Sequence, residues 1–278
     1  MDWLEGMILG IIQGLTEFLP VSSSGHLLIG KEMLGIEATQ DLTFEIVVHA
    51  ATVLSTIVVF RKEIWNLLQG FFKFKNNNEM DYVLKIGVSM IPIFIVGVFF
   101  KDSVESLFTS LLSVGIALMV TAVLLTLSDL VTKWSAKKYN SAQSVAATEE
   151  GARNGISWWQ AIVVGIGQSI AVIPGLSRSG TTIATGLICG VKREVMAQFS
   201  FLMVLIPILG EAFLSIVGGD LAESSISAAP LITGFISAFL SGLFACKAMI
   251  ALVKKSKMSW FAIYCAIVGI IVIISTTI

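Results

Sequence analysis

Long apolar runs are the feature that most constrains what this chain can fold into. Six of them lie at 44–60, 83–100, 107–129, 199–217, 230–252 and 259–278. A helix needs roughly 20 apolar residues to cross a bilayer core of about 30 Å, so each run can span with modest tilt. The chain is 55% hydrophobic and only 13% charged, far more apolar than a soluble domain. The sequence therefore predicts an all-α integral membrane protein with one polytopic domain over 1–278.

Two further apolar segments, 3–30 and 156–190, are interrupted near the middle by a proline and a turn rich in Ser and Gly. The interruptions read LPVSSSGH and IPGLSRSGTT. Because Pro20 and Pro174 disfavour helix at the residue before them, each segment should be a helix, a break and a second helix. Such backbone survives at membrane depth only where it is buried in protein or lines a wet cavity. We therefore predict six transmembrane helices plus two re-entrant broken-helix segments.

The chain also repeats itself after 155 residues. The aligned pairs are Trp3 with Trp158, Gly10 with Gly165, Gln13 with Gln168, Ser22 with Ser177, Ser24 with Ser179, Gly25 with Gly180 and Phe44 with Phe199. Three spans follow each broken segment, so the two copies should be inverted in the membrane, with their breaks meeting near the midplane. This predicts a first repeat at about 1–131, a cytoplasmic linker at about 132–155 and a second repeat at about 156–278.

Basic residues concentrate in three connections, which the positive-inside rule assigns to the cytoplasm. They are Arg61, Lys62, Lys73 and Lys75; Lys133, Lys137 and Lys138; and Lys254, Lys255 and Lys257. The 219–229 loop carries only acidic charges, so it is predicted to lie outside. By this topology the loops 31–43 and 101–106 also lie outside, so the first broken segment enters the membrane from outside, which favours a site that opens to the outer face.

Composition excludes two other classes of function. The net charge of −1 provides no basic surface for nucleic acid. Cys189, Cys246 and Cys265 lie singly in apolar stretches, without metal or redox spacing, so we interpret them as packing residues.

Each break concentrates polar groups at a helix start. Gln13 and Glu17 share one face of the first helix, and three serines and His26 follow it. The second break offers the same helix start with Arg178 added. Unpaired N–H groups at a helix N-terminus favour an anion, and a guanidinium fork suits a phosphate group. The sequence thus predicts that one half carries an acid and a base, while the other carries a cationic clamp.

Purely structural interpretations of these residues are also open. Serine and glycine commonly serve close packing in membrane helices, and Glu17 with Arg178 could form only a buried ion pair. His26 could equally be a buried histidine whose ring nitrogens are hydrogen-bonded within the protein and have no catalytic role. Glu45 and His49 on the first span stay open between lining the site and packing.

Two stretches carry a resemblance to a known family. QGLTEFLPVSSSGHL resembles the (E/Q)xxxE plus SSxGH region, and PGLSRSGTT the PGxSRSxxT motif, of the undecaprenyl-diphosphatase family, bacterial membrane enzymes also known as bacitracin-resistance proteins. The similarity extends through Phe44 and Glu45 and the spacing of the spans. It implies removal of the terminal phosphate from undecaprenyl diphosphate, which gives the monophosphate carrier of cell-wall synthesis, with a divalent cation, usually Mg²⁺ or Ca²⁺.

The resemblance also implies roles for individual residues. Glu17, His26 and Arg178 become the core of the site, with Ser23 and Ser177 as further catalytic participants. The substrate-binding set is Ser22, Ser24, Gly25, Gly175, Ser179, Gly180, Thr181 and Thr182. Glu17 and Gln13 are the implied metal ligands, although many family members have Glu where this chain has Gln13.

The resulting mechanistic hypothesis assigns Arg178 and the two helix N-termini to the phosphate oxygens and His26 to acid–base work. The nucleophile stays open between a serine such as Ser23, which we favour, and water. The expected partners are a polyprenyl diphosphate and membrane lipid, with a homodimer left open. A polyprenyl-phosphate flippase or other transporter would suit the inverted repeat equally well. Type 2 phosphatidic-acid phosphatases echo SSGH and SR, but the rest of their motifs is missing from this sequence.

Overall fold

The computed structural model describes residues 1–36, 43–100, 110–138, 153–218, 226–255 and 257–277. Within these residues the chain forms twelve α-helices and one 3₁₀ turn, Arg153–Gly155. The helices are α1 Trp3–Thr16, α2 Ser23–Met33, α3 Thr43–Val59, α4 Arg61–Phe71, α5 Asn78–Phe99, α6 Leu111–Lys138, α7 Trp158–Ile170, α8 Arg178–Ile188, α9 Arg193–Met203, α10 Leu205–Gly218, α11 Ala228–Lys255 and α12 Met258–Thr277.

The helices confirm the predicted membrane architecture. Five stretches are long and apolar enough to cross a membrane: 78–99, 111–135, 193–214, 228–252 and 258–277. A sixth arises only if α3 and α4, which meet at an angle of 78°, are counted together. The first predicted span, 44–60, therefore corresponds to α3, a 17-residue helix that ends in a sharp bend.

Five predicted connections differ from the structure or lie partly or wholly outside the described residues. The basic stretch 61–75 was expected to be a loop, but most of it is helix α4. The predicted linker at 132–155 overlaps α6, which continues to Lys138, and 139–152 lie outside the described residues. Residues 37–42 of the predicted outer loop 31–43, all of the outer loop 101–106 and residues 219–225 of the outer loop 219–229 lie outside them as well, as do residues 107–109 of the predicted span 107–129.

Both broken segments form a helix, a break and a second helix, as predicted. Helix α1 is capped by Asp2 and α7 by Ser157, each in a capping box that satisfies the first orphan N–H groups. The starts of α1 and α7 are 155 residues apart, and so are the starts of α2 and α8, so the helix boundaries follow the register of the sequence repeat.

Each half packs its first helix against a span from the other half. Helix α1 lies along α11, and α7 lies along α5. Gly10 makes the first contact possible, because a Cβ there would lie 2.3 Å from Gly234 O. Its repeat partner Gly165 does the same on α5, where a Cβ would lie 2.4 Å from Ser89 O. Such close backbone approach is how membrane helices associate.

The two breaks meet in the interior of the protein, as the inverted-repeat argument predicts. A Cβ on Gly25, near the start of α2, would lie 3.3 Å from Gly175 Cα in the other break. Val114 of α6 contacts both glycines. Gly175 has φ +82°, a conformation that favours glycine, and its lack of a side chain lets α6 approach. This meeting point brings the polar groups of both halves together.

Candidate active site

Glu17 lies at the centre of the candidate site, at the C-terminal end of α1. Its side chain is only 7% exposed, and each carboxylate oxygen is held separately. Oε1 accepts a hydrogen bond from Arg178 Nη2 at 2.7 Å. Oε2 accepts from Ser23 Oγ at 2.5 Å and from Gln13 Nε2 at 2.8 Å. The structure therefore joins Gln13, Glu17, Ser23 and Arg178, four of the residues selected from the sequence.

Ser23 and Arg178 occupy equivalent places in the two repeats, since they are the first residues of α2 and α8. The preceding serines cap these helices: Ser22 Oγ accepts from Gly25 N at 3.2 Å and Ser177 Oγ from Gly180 N at 3.0 Å. Both helix N-termini consequently converge on one carboxylate, where their partial positive charge stabilises an anion.

The remaining serines of the motifs mostly support the backbone. Ser22 Oγ lies 3.4 Å from Ser24 Oγ, and Ser177 Oγ lies the same distance from Ser179 Oγ. Ser177 is buried and its N–H donates to Thr121 of α6. Ser179 Oγ donates to Leu19 O at 3.1 Å, which ties α8 to the first break. In this structure Ser177 therefore acts as a helix cap, and its predicted catalytic role stays a prediction.

The glycine and threonines of the second motif are packed inside the protein. Gly180 lies against Pro20 of the first break, where a Cβ would come within 3.3 Å of the proline side chain. Thr182 is fully buried and its hydroxyl lies 2.6 Å from that of Ser200 on α9. Thr181 is buried as well, and its hydroxyl has no hydrogen-bond partner among the described residues. Substrate contacts by these residues stay predictions.

His26 lies apart from the carboxylate. Its Nδ1 is 2.7 Å from Ser22 O, and its Nε2 is 2.8 Å from the hydroxyl of Tyr264 on α12. Because a carbonyl oxygen only accepts, Nδ1 carries the proton, and in the neutral ring Tyr264 then donates to Nε2. The two rings also stack, with centroids 5.6 Å apart. Within the described residues, no hydrogen bond joins His26 to Glu17 or Arg178.

The histidine beside Glu17 is His49 of α3. Its Nδ1 donates to Glu45 O at 2.7 Å, and its Nε2 lies 3.7 Å from Glu17 Oε2. The Glu45 side chain instead pairs with buried Lys31 at 2.7 Å and so joins α2 to α3. The sequence left open whether Glu45 and His49 line the site or serve packing. In the structure His49 lies beside Glu17 in the site, whereas the Glu45 carboxylate forms an ion pair with Lys31 that joins two helices.

A cavity opens beside the Glu17–Arg178 pair, between α3, α8 and α9. Hydroxyl groups and apolar side chains both line it. The hydroxyls come from Thr52, Thr56, Ser179 and Ser200, and the apolar groups from Phe18, Val53, Phe201, Val204 and Ile208. The lining therefore combines charged, hydroxyl and apolar groups, as a ligand with both an anionic and an apolar part would need.

The donor atoms at the site suit a hard cation. Gln13 is fully buried, and while its Nε2 donates to Glu17, its Oε1 has no partner among the described residues. A buried amide oxygen without a partner next to a carboxylate is a ligand set of the kind that Mg²⁺ and Ca²⁺ accept, with substrate oxygens completing the shell. The described residues contain no cluster of three or more His, Cys, Asp or Glu side chains that could hold a metal.

Sequence reasoning missed Tyr264 and the hydroxyls of α3 and α9. Tyr264 lies in the last helix, 238 residues from His26, and nothing in its local sequence distinguishes it from other interfacial tyrosines. Thr52 and Thr56 share a helix face with His49, so a polar stripe on an otherwise apolar span was the available signal.

Comparisons with known proteins agree with the geometry. The family model described as bacitracin resistance protein BacA matches residues 6–271. Proteins named undecaprenyl-diphosphatase from Bacteroides fragilis and Bacteroides thetaiotaomicron are each 52% identical, over 99% of this chain and 98% and 99% of their own lengths. One of the same name from Methanosphaera stadtmanae is 37% identical over 99% of this chain and 98% of its own length. The chain therefore belongs to the bacitracin resistance protein BacA family.

Proposed function

We propose that this protein hydrolyses undecaprenyl diphosphate to undecaprenyl phosphate and inorganic phosphate in the bacterial plasma membrane, which recycles the lipid carrier of cell-wall synthesis. The observation that carries the proposal is the grip of two helix-start residues, Ser23 and Arg178, on opposite oxygens of the buried carboxylate of Glu17. The name shared by full-length relatives supports the choice of substrate.

Arg178 is suited to bind the diphosphate. Its side chain is 25% exposed, and among the described residues its guanidinium is hydrogen-bonded to Glu17 alone. One amino group anchors the fork, so the remaining N–H groups are available for phosphate oxygens. The N-terminus of α8 adds its partial positive charge at the same place. The prenyl chain would continue past the apolar side chains of the cavity into lipid.

Ser23 is the nucleophile that the contacts favour. Its hydroxyl already donates to Glu17 Oε2 at 2.5 Å, so the carboxylate can take the proton as the serine oxygen attacks the terminal phosphorus. The bond from that phosphorus to the bridging oxygen breaks, and undecaprenyl phosphate leaves. Water then cleaves the phosphoserine and releases inorganic phosphate. The alternative is direct attack by water, for which Glu17 would serve as the base.

A divalent cation, Mg²⁺ or Ca²⁺, is part of the proposal. Gln13 and Glu17 would hold it, and it would neutralise negative charge on the diphosphate. His26 is hydrogen-bonded to Ser22 O and Tyr264, whereas the Ser23 hydroxyl donates to Glu17, so we assign the deprotonation of Ser23 to Glu17. The acid–base role of His26 stays part of the proposal, with Tyr264 as its hydrogen-bond partner.

The orientation is also proposed, from the distribution of charge. The basic residues near α4 and at the end of α6 face the cytoplasm, so the site opens to the outer face. Gln13, Glu17, Ser23 and Arg178 come from one chain, so the reaction does not require a homodimer.

The test is phosphate release from undecaprenyl diphosphate by purified protein in detergent, with and without a chelator. Detergent removes the two compartments that transport needs, so release there separates hydrolysis from the flippase alternative. We expect release that depends on the cation and is lost in Glu17→Ala and Arg178→Ala. Folded wild-type protein that releases no phosphate would refute the proposal.

A further inference from the structure

Helix α4 has a geometry unlike the spanning helices. It leaves α3 at 78°, directly after Phe60, so where α3 crosses the membrane α4 runs nearly parallel to the membrane surface. One stripe of α4, Ile64 and Leu67, packs on the protein core. With 11 residues, α4 forms three turns, and the orientation proposed above places its basic residues on the cytoplasmic side.

A second apolar stripe of α4 faces away from the protein. Trp65, Leu68 and Phe72 follow each other at intervals of three and four residues and are 60%, 43% and 65% exposed. Phe74, just beyond the helix, is 75% exposed, and its ring lies 6.4 Å from that of Phe72. The core already covers the inner stripe, so this outer stripe requires an apolar medium of its own.

Positive charge flanks the outer stripe at both ends. Arg61 and Lys62 begin the helix, and Lys73 and Lys75 follow it, all exposed. Glu63 is the one acidic side chain between Arg61 and Lys75. Exposed aromatics between basic ends are the pattern of helices that lie in the headgroup region, with the rings in the acyl boundary and the cations at lipid phosphates.

We infer that α4 and residues 72–75, together called the α4 anchor, bind the anionic phospholipid headgroups of the cytoplasmic leaflet. Charge complementarity selects this partner: four cations against one carboxylate favour anionic over zwitterionic lipid. The stripe spacing and the bend account for the in-plane position. The inference rests on residues outside the candidate active site and does not depend on the proposed hydrolysis; only the choice of leaflet rests on the proposed orientation.

The experiment measures quenching of Trp65 in the full-length protein reconstituted into vesicles. The bilayer contains phosphatidylglycerol and phosphatidylcholine, with bromine on the acyl chains of one lipid or the other. The chain has 6 tryptophans, so the signal of Trp65 is obtained by subtracting the Trp65→Phe variant. Both leaflets have the same composition, so the orientation of insertion does not affect the readout.

We expect brominated phosphatidylglycerol to quench Trp65 more strongly than brominated phosphatidylcholine at equal mole fraction. The variant Arg61→Gln/Lys62→Gln/Lys73→Gln/Lys75→Gln should abolish the difference, and high salt should reduce it. The matched control Lys133→Gln/Lys137→Gln removes two positive charges from the end of α6 and should leave the difference unchanged.

Two outcomes would overturn the inference. Equal quenching by the two lipids in the wild type would show that the anchor does not select anionic lipid. Absence of quenching by either would show that the stripe faces water or protein. If the fourfold variant does not fold, Lys73→Gln/Lys75→Gln, which lies beyond the helix end, provides the same comparison. Cooperative thermal unfolding in detergent near the wild-type temperature, which requires no catalytic activity, verifies that each variant is folded.

Discussion

The sharpest test of the site is the conservative change Arg178→Lys. Lysine keeps the positive charge, but its single ammonium cannot hold Glu17 and grip two phosphate oxygens together as a planar fork can. Arg178 Nη2 lies 2.7 Å from Glu17 Oε1, so a lysine there would be engaged by the buried carboxylate. We therefore expect Arg178→Lys to keep the ion pair with Glu17 but to lose the contact with the substrate phosphate.

The magnitude follows from the geometry. Loss of one preorganised donor to a reacting oxyanion costs about 10²–10³ in rate, or about 2.7–4 kcal/mol, and we expect Arg178→Lys to lower kcat/KM by that factor. Arg178→Ala should also destabilise the fold, because Glu17, 7% exposed, loses its cation, and breaking a buried pair costs about 3–5 kcal/mol. Glu17→Gln/Arg178→Ala should recover part of that stability but no activity.

The assay combines phosphate release with thermal unfolding in detergent. The ion pair between Arg193 and Asp129 provides a matched control. Arg193 is 25% exposed, as Arg178 is, and the side chain of Asp129 is 1% exposed. Arg193→Lys changes an equivalent buried pair away from the site, so it should alter the melting temperature and leave kcat/KM near the wild-type value. Wild-type activity in Arg178→Lys would refute the proposed contact between the guanidinium and two phosphate oxygens, since it would mean that a positive charge at this position is enough for activity.

Three further predictions address the other groups. Ser23→Ala should lower kcat by about 10²–10⁴-fold, because it removes the proton transfer from Ser23 to Glu17. Trapping phosphoserine from labelled substrate in the wild type would identify Ser23 as the nucleophile. Equal rates in the wild type and Ser23→Ala would contradict this role. Tyr264→Phe removes one hydrogen bond to His26 and should lower kcat by about 2–10-fold, whereas Tyr82→Phe, at a tyrosine of α5 outside the site, should not. An unchanged rate in Tyr264→Phe would mean that His26 needs no partner. Gln13→Glu adds a carboxylate and should lower the cation concentration needed for half-maximal activity by roughly an order of magnitude. Metal titrations, followed by phosphate release and by calorimetry, would measure it. A rise in that concentration would exclude Gln13 as a ligand.

The sequence predicted the fold well because its strongest signals are local. Apolar run length identifies the spans, and Pro20 and Pro174 with their serines identify the breaks, since these effects act within a few residues. Helix α4 was missed for a related reason. Its basic composition suggests a loop, while its two apolar stripes become visible only when the residues are placed on a helix.

The sequence predicted part of the candidate site, and the part that it left open has a physical cause. Motif position correctly grouped Gln13, Glu17, Ser23 and Arg178, because the break itself brings them together. It could not decide which histidine approaches Glu17. That depends on how α3 and α12 pack around the breaks, and such long-range packing leaves no local trace in the sequence.

The repeat explains how this site differs from an inert buried ion pair. Duplication gives both halves the same scaffold: a capping serine, Ser22 or Ser177, whose hydroxyl holds an N–H three residues on. The residue after each cap differs, because one half has Ser23 and the other Arg178. Neither the exposure of the arginine nor a hydroxyl on the second carboxylate oxygen distinguishes this pair, because the Arg193–Asp129 pair has both: Arg193 is also 25% exposed, and Ser259 donates to Asp129 Oδ2. The difference is that Glu17 and Arg178 both line the cavity, which Arg193 and Asp129 do not. Two equivalent helix starts thus bring different groups to one carboxylate, a hydroxyl from one side and a guanidinium from the other. These are the groups to which the proposed phosphoryl transfer assigns the nucleophile and the phosphate contact.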